Sequence, residues 1–178
     1  PPLLKQAILA AEDERFYQHG GVDYLGGLRA VYATLFSGRK QGASTITMQV
    51  ARLIEPREER SLTFKLRQMA RALQIERRLS KDEILALYLT LAPYGGNIEG
   101  VRAASLAWFG KEPKKLTLSE SALLVALPQS PEARRPDRKL KGARIARDRV
   151  LKRMADAGLI PESEIARAST VGIRPGRA

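Results

Sequence analysis

The chain has 178 residues and 44% of them are hydrophobic, which suits one folded domain and argues against a disordered chain. With 31 basic and 19 acidic residues, its net charge of +12 favours a polyanionic partner: nucleic acid, anionic lipid or a phosphorylated substrate. The absence of cysteine excludes thiol catalysis, thiolate metal sites and disulfides, and no apolar run reaches the roughly 20 residues that a membrane span requires.

Hydrophobic residues recur at helical spacing almost throughout, which predicts a mainly α fold. In chain order, helices are expected over residues 3–16, 24–36, 45–54, 61–79, 81–91, 98–109, 118–127 and 141–157, with a short last helix after Pro161. Ser44 is the expected cap of the third helix, and two capping boxes open the helices at 81 and 118. The best strand candidates are short, at 126–129 and 170–173.

The first stretch that indicates chemistry is EDERFYQHGG at 12–21. A carboxylate at the end of a helix, beside an aromatic pair and a glycine turn, is well placed to be half-buried and to serve as a general base. Taken alone, the same acids also fit an ordinary solvated helix face.

The second stretch is GASTITMQ at 42–49, where a glycine turn runs into a helix start rich in hydroxyl groups. Free backbone N–H groups and hydroxyls at a helix N-terminus form a phosphate-binding end. An ordinary N-cap is the alternative for this stretch by itself.

Together, these stretches resemble the glycosyltransferase domain of class A penicillin-binding proteins and monofunctional peptidoglycan glycosyltransferases, glycosyltransferase family 51. The first motif of that family is matched by Glu12, Asp13, Phe16, His19 and Gly21, and the second by Gly42, Ser44, Thr45, Ile46, Thr47 and Gln49. The likeness continues in the family's order to Pro136, and the Thr47-Met48-Gln49 variant is most similar to the penicillin-binding protein 1C branch.

The resemblance implies a lysozyme-like helical domain at 1–168, with a smaller membrane-facing jaw lobe at about 22–60. Residues 169–178 would be a linker towards a transpeptidase domain downstream. The apolar residues of 24–36 either dip into the bilayer interface or pack into the core, and both alternatives stay open here. Because the chain starts at Pro1 without a methionine or signal peptide, we expect an anchoring segment upstream of this fragment.

The reaction implied by the resemblance polymerises lipid II into glycan strands with inversion and releases undecaprenyl pyrophosphate, at the periplasmic face of the bacterial inner membrane. Its partners would be lipid II, the growing glycan chain and the membrane surface, with no nucleic acid. By motif position Glu12 is the base, Asp13 holds local geometry, and His19 is structural. The residues expected to bind pyrophosphate or line its cleft are Arg29, Arg52, Arg60, Lys65, Ser44, Thr45 and Gln49.

The chain departs from the family pattern in the third motif, where Gln68 stands in place of a second glutamate that is often credited with metal binding or proton donation. Gln68 still falls among the substrate-binding positions. No cofactor is predicted: a divalent cation, Mg²⁺ or Mn²⁺, stays open, but Gln68 weighs against it and against a general-acid step. A pyrophosphate leaving group can depart unprotonated if cations stabilise it.

Three alternatives remain at this stage. A basic helical nucleic-acid-binding protein would explain the charge but neither motif. A lysozyme-like lytic enzyme would share the fold and a catalytic glutamate. An inactive or weakly active domain that binds glycan lipid would explain the loss of the second acid at Gln68.

Overall fold

The structure is a computed structural model that describes residues 2–37, 44–56 and 61–172. Within these residues the chain is helical, with no β-strand and one isolated bridge between Pro93 and Glu99. The helices are α1 (Pro2–Glu12), α2 (Tyr24–Ser37), α3 (Ile46–Ile54), α4 (Leu62–Glu76), α5 (Lys81–Leu91), α6 (Val101–Phe109), α7 (Leu118–Ala126), α8 (Leu140–Asp156) and α9 (Glu162–Thr170). The predicted mainly α class is therefore confirmed.

Local capping signals set several helix starts. The Ser61 side chain accepts from the backbone N–H of Phe64 at the start of α4. At the start of α7, Thr117 and Glu120 exchange both hydrogen bonds of a capping box. These contacts satisfy N–H groups that have no partner inside the helix, and the sequence signal for each start is purely local.

Some of the sequence expectations about elements are wrong. The first helix ends at Glu12 and not near Phe16, because the side chain of the next residue, Asp13, turns to the start of α3 and Phe16–Gln18 forms a separate 3-10 turn. Residues 126–129 are not a strand: they complete α7 and continue as the 3-10 turn Leu127–Gln129. Thr170 of the second strand candidate is the last residue of α9.

By its internal contacts the chain divides into two compact units. The first is Glu12–Tyr88, which contains every described candidate site residue. In this unit α3 lies against α4. Its core includes a cluster of Val22, Met48 and Ala72, with Met69 packed against it. Packing around this cluster joins the residues after α1 to α3 and α4, and so brings the two sequence motifs together.

The second unit comprises Pro1–Ala11 and Leu89–Ala178. Here α8 lies against α7 and α9. Arg147 of α8 is only 1% exposed and donates to the backbone carbonyls of Ser169 and Val171. The linker predicted from residue 169 therefore begins with residues that are held against α8, while the boundaries of the domain stay a prediction.

The surface of α2 carries large apolar side chains that are exposed, at spacing that places most of them along one stripe. They are Tyr24, Leu25, Leu28, Tyr32, Leu35 and Phe36, between 59% and 73% exposed. The alternative that these side chains pack into the core is therefore wrong. Nothing among the described helices combines the length and the apolarity needed to cross a membrane. The jaw lobe at 22–60 remains a prediction.

Candidate active site

The carboxylate of Glu12 lies at the end of α1, half-buried, and is directed towards α3. Its Oε2 accepts a hydrogen bond of 2.9 Å from Nε2 of Gln49. Gln49 is itself buried on the second turn of α3. An amide donor from a packed helix limits the orientations of the carboxylate, which is what a general base requires.

Asp13 joins the two sequence motifs. Its side chain is buried, Oδ1 lies 2.9 Å from Nε2 of His19, and Oδ2 accepts from the backbone N–H of Ile46 at 3.0 Å. Ile46 is the first residue of α3, so a carboxylate there also interacts favourably with the helix dipole. Because a carboxylate only accepts, Nε2 of His19 carries the proton, and Nδ1 is buried with no partner among the described residues. Asp13 and His19 thus hold the turn after α1 onto the start of α3.

Gly21 and Thr45 make the second link between the motifs. Gly21 has a φ of +81°, and a Cβ at this position would lie 3.0 Å from the backbone carbonyl atoms of Ala72 in α4. Its own carbonyl accepts from the hydroxyl of Thr45, which in turn accepts from the N–H of Met48. The cap of α3 is therefore Thr45, and the expectation that Ser44 fills this role is wrong.

Ser44 instead contacts a cation. Its hydroxyl accepts from Nζ of Lys65 at 2.6 Å, and the same Nζ lies 3.3 Å from Oε1 of Gln68. Burial lowers the pKa of the Lys65 ammonium, and the neighbouring Arg52 guanidinium lowers it further. Lys65 is therefore a half-buried positive charge held by two neutral partners, Ser44 just before α3 and Gln68 on α4.

Arg52 lies three residues after Gln49 on α3, so the two share one side of the helix. It is exposed and lines a shallow groove between α3 and α4, together with Ala51, Glu55, Phe64, Arg67, Gln68 and Arg71. Glu55 forms an ion pair with Arg71 in this groove. The groove and Lys65 together offer several cations beside one acid, an arrangement that suits a polyanion.

Two predicted cations are not joined to this arrangement by described contacts. Arg29 lies exposed on α2, and within residues 2–37, 44–56 and 61–172 no hydrogen bond or ion pair links it to the other site residues. Arg60 falls outside the described residues. Their assignment to pyrophosphate binding stays a prediction.

Glu76 connects several elements of this unit, a role that the sequence does not indicate. Its Oε1 accepts from the Thr47 hydroxyl at 2.6 Å and from Nζ of Lys81 at 2.7 Å, and Lys81 also lies 4.4 Å from the centre of the Phe16 ring. This cluster ties α3, the end of α4, the start of α5 and the turn after α1. Glu76 lies two turns after Gln68 on α4, but no pattern in the sequence indicates that the Thr47 hydroxyl donates to its carboxylate.

The side chains at the third motif do not fit the divalent cation that the resemblance raises. Gln68 supplies one carbonyl oxygen, and that oxygen already faces the Lys65 ammonium. Mg²⁺ and Mn²⁺ bind chiefly to carboxylate oxygens and water. In the part of the chain that the structure describes, no group of three or more His, Cys, Asp or Glu residues could hold a metal.

Comparison with known proteins identifies the class. Residues 1–155 match the family model described as Transglycosylase, and the chain belongs to this family. The match confirms the resemblance to the glycosyltransferase domain of class A penicillin-binding proteins, and with it the prediction of a glycosyltransferase enzyme.

Named relatives agree with this. Over 165 residues the chain is 46% identical to Penicillin-binding protein 1C of Escherichia coli K12, covering 92% of this chain and 21% of that protein. It is 42% identical over 174 residues to Penicillin-binding protein 1A of the same strain, covering 97% and 20%. The crystal structure of Penicillin-Binding Protein 1A from Haemophilus influenzae superposes with a TM-score of 0.53 at 30% identity, covering 74% of this chain and 17% of that one. The chain thus spans about a fifth of the length of these relatives.

Proposed function

We propose that this domain polymerises lipid II into peptidoglycan glycan strands and releases undecaprenyl pyrophosphate. The observation that carries the proposal is the arrangement around α3: this helix holds the Glu12 carboxylate through Gln49 and carries Arg52 on the next turn. A base and a set of cations are needed together when a sugar is transferred from a diphosphate.

The chemistry assigns one task to the Glu12 carboxylate and another to the cations. Glu12 takes the proton from the 4-hydroxyl of the acceptor sugar as that oxygen attacks the anomeric carbon of the donor. The bond from this carbon to the diphosphate oxygen breaks, and the electron pair leaves on the diphosphate. Attack from the face opposite the leaving group inverts the α linkage to β. Arg52 and Lys65 stabilise the charge that develops on the departing diphosphate.

A lipid-linked substrate resides in a membrane, so the domain must bind at a membrane surface. The exposed side chains of α2 support this part of the proposal. Its exposed apolar side chains can enter the interface of the periplasmic leaflet while basic residues of the domain meet anionic headgroups. The partners proposed are therefore lipid II, the growing glycan chain and the membrane surface.

The decisive experiment is polymerisation of labelled lipid II by the wild-type domain and by Glu12→Gln, which removes the base and keeps the size of the side chain. We expect the substitution to lower kcat by at least ~100-fold, the typical contribution of a positioned general base. Glu14→Gln is the matched control, because Glu14 is exposed two residues away, and its rate should stay within about twofold.

Incubation with finished peptidoglycan separates the competing functions. A lytic enzyme would shorten existing strands. A domain that only binds glycan lipid would neither shorten strands nor extend them. Growth of strands from lipid II that survives Glu12→Gln unchanged would remove Glu12 from the mechanism.

A further inference from the structure

Gln68 uses both ends of its carboxamide inside the packed interface between α3 and α4. The residue is 8% exposed. Its Nε2 donates to the backbone carbonyl of Met48 at 2.7 Å, and its Oε1 lies 3.3 Å from Nζ of Lys65. One neutral side chain thus bridges the backbone of α3 and a cation on its own helix.

The partners determine which way this amide points. A backbone carbonyl can only accept a hydrogen bond, and an ammonium can only donate one. Nε2 must therefore face Met48 and Oε1 must face Lys65, since the reversed amide would leave both contacts unsatisfied. The donor or acceptor character of the two partners is thus enough to fix the orientation of the amide.

The contacts of Lys65 leave its charge available. The ammonium is held by the Ser44 hydroxyl and the Gln68 carbonyl, both neutral, and it forms no ion pair with a carboxylate among the described residues. Arg52 lies close enough to act on it electrostatically. A second positive charge nearby strengthens the attraction of this position for a polyanion.

A glutamate at position 68 would change each of these contacts. Ionised, it could not donate to the Met48 carbonyl and would place a buried negative oxygen beside it. It would also pair with Lys65 and cancel the charge that the glutamine leaves free. The hydrogen bonds of Gln68 therefore give a physical reason to expect weaker binding of the diphosphate when position 68 is a glutamate.

We propose that Gln68 is a positioning residue that holds the Lys65 ammonium, with its charge unpaired, for the diphosphate of the lipid-linked donor. The protein's own cations then neutralise the leaving group without a divalent ion. This inference rests on the proposed function for the identity of the donor, and on the hydrogen bonds of Gln68 for the role of the residue.

The test compares wild type with Gln68→Glu, Gln68→Met and a control, Gln6→Glu. Gln68→Met keeps the approximate size of the side chain but removes its hydrogen bonds without adding a charge. Gln6 is exposed on α1, so Gln6→Glu adds the same negative charge as Gln68→Glu at a position far along the sequence from the groove. Binding of inorganic pyrophosphate is measured by calorimetry in EDTA and in Mg²⁺ or Mn²⁺. KM and kcat for lipid II are measured under the same conditions, and circular dichroism checks folding.

We expect Gln68→Glu to weaken pyrophosphate binding and to lower kcat/KM for lipid II by about tenfold, because it cancels one charge that binds the diphosphate and stabilises its departure. Gln68→Met should weaken binding by about threefold, the scale of the lost hydrogen bond that holds Lys65. Gln6→Glu should match wild type. Wild type should bind pyrophosphate in EDTA without needing Mg²⁺ or Mn²⁺, since Gln68 supplies no carboxylate at the third motif to hold a divalent ion.

Equal or tighter pyrophosphate binding by Gln68→Glu would overturn the inference, and so would a wild type that binds pyrophosphate only with Mg²⁺ or Mn²⁺. If Gln68→Glu does not fold, Gln68→Met decides: binding equal to wild type overturns the role of Gln68. A further outcome is that the wild type and its variants bind pyrophosphate in the expected order while the wild type does not extend lipid II. That result supports the role of Gln68 and contradicts the proposed function instead.

Discussion

Gly20 and Gly21 are neighbours that differ in what a side chain would meet. A Cβ on Gly20 would have no atom within 4 Å, whereas one on Gly21 would meet the backbone of α4 at 3.0 Å. Gly21 also has a φ of +81°, a conformation that residues with a Cβ rarely adopt. The second glycine of the pair therefore allows the turn after α1 to lie against α4.

We expect Gly21→Ala to lower the free energy of unfolding by about 1–3 kcal/mol, through backbone strain and the close approach to Ala72. Gly20→Ala should stay within about 0.5 kcal/mol of wild type. Urea unfolding followed by circular dichroism measures both. Equal losses in the two variants would contradict the packing described for Gly21.

At the scale of elements, two threonine caps have different tasks. Thr117 accepts from the N–H of Glu120 and caps α7. Thr45 caps α3 in the same way, but its hydroxyl also donates to the carbonyl of Gly21. Loss of the Thr45 side chain would therefore both uncap α3 and release the turn that follows the Glu12 helix.

This difference predicts separate effects on stability and on catalysis. Thr45→Ala and Thr117→Ala should each lower the free energy of unfolding by about 1 kcal/mol, the usual cost of losing an N-cap. Only Thr45→Ala should also lower kcat/KM for lipid II, by roughly tenfold or more, because small displacements of catalytic groups are costly. A Thr117→Ala variant with the same catalytic loss would show that the effect is general destabilisation.

Elements were easier to predict than their contacts. The capping boxes before α5 and α7 depend on residues within one turn, so the sequence shows them directly. The choice between Ser44 and Thr45 as the cap of α3 is different. Either hydroxyl fits the local pattern, and the carbonyl of Gly21 and the ammonium of Lys65 decide which one turns to the helix.

At the scale of the whole molecule, the net charge of +12 and the apolar side chains of α2 are both suited to an anionic membrane surface. Apolar burial and electrostatic attraction add in interfacial binding, and only the second is screened by salt. The two contributions can therefore be separated by substitution and by ionic strength.

Replacing Leu25, Leu28 and Leu35 of α2 by serine should weaken binding to anionic vesicles by on the order of tenfold, through loss of apolar area. The matched control replaces three exposed apolar residues of the other unit, Leu106, Leu140 and Ile145, and should bind as wild type does. Vesicle sedimentation at low and high salt measures both. Equal losses in the two triple variants would contradict a role for α2.

The sequence by itself determined the helical class, the positions of most helices, the two motifs and the family they indicate. These follow from periodicity, capping residues and motif spacing, which act over a few residues. Only the tertiary structure decided that Asp13 reaches the N–H of Ile46, that Glu76 receives Thr47, and that Gln68 spans Met48 and Lys65. Apart from the contact of Gln68 with Lys65 inside α4, these contacts join residues 20 or more positions apart, and they exist only because α3 packs against α4 and the turn after α1.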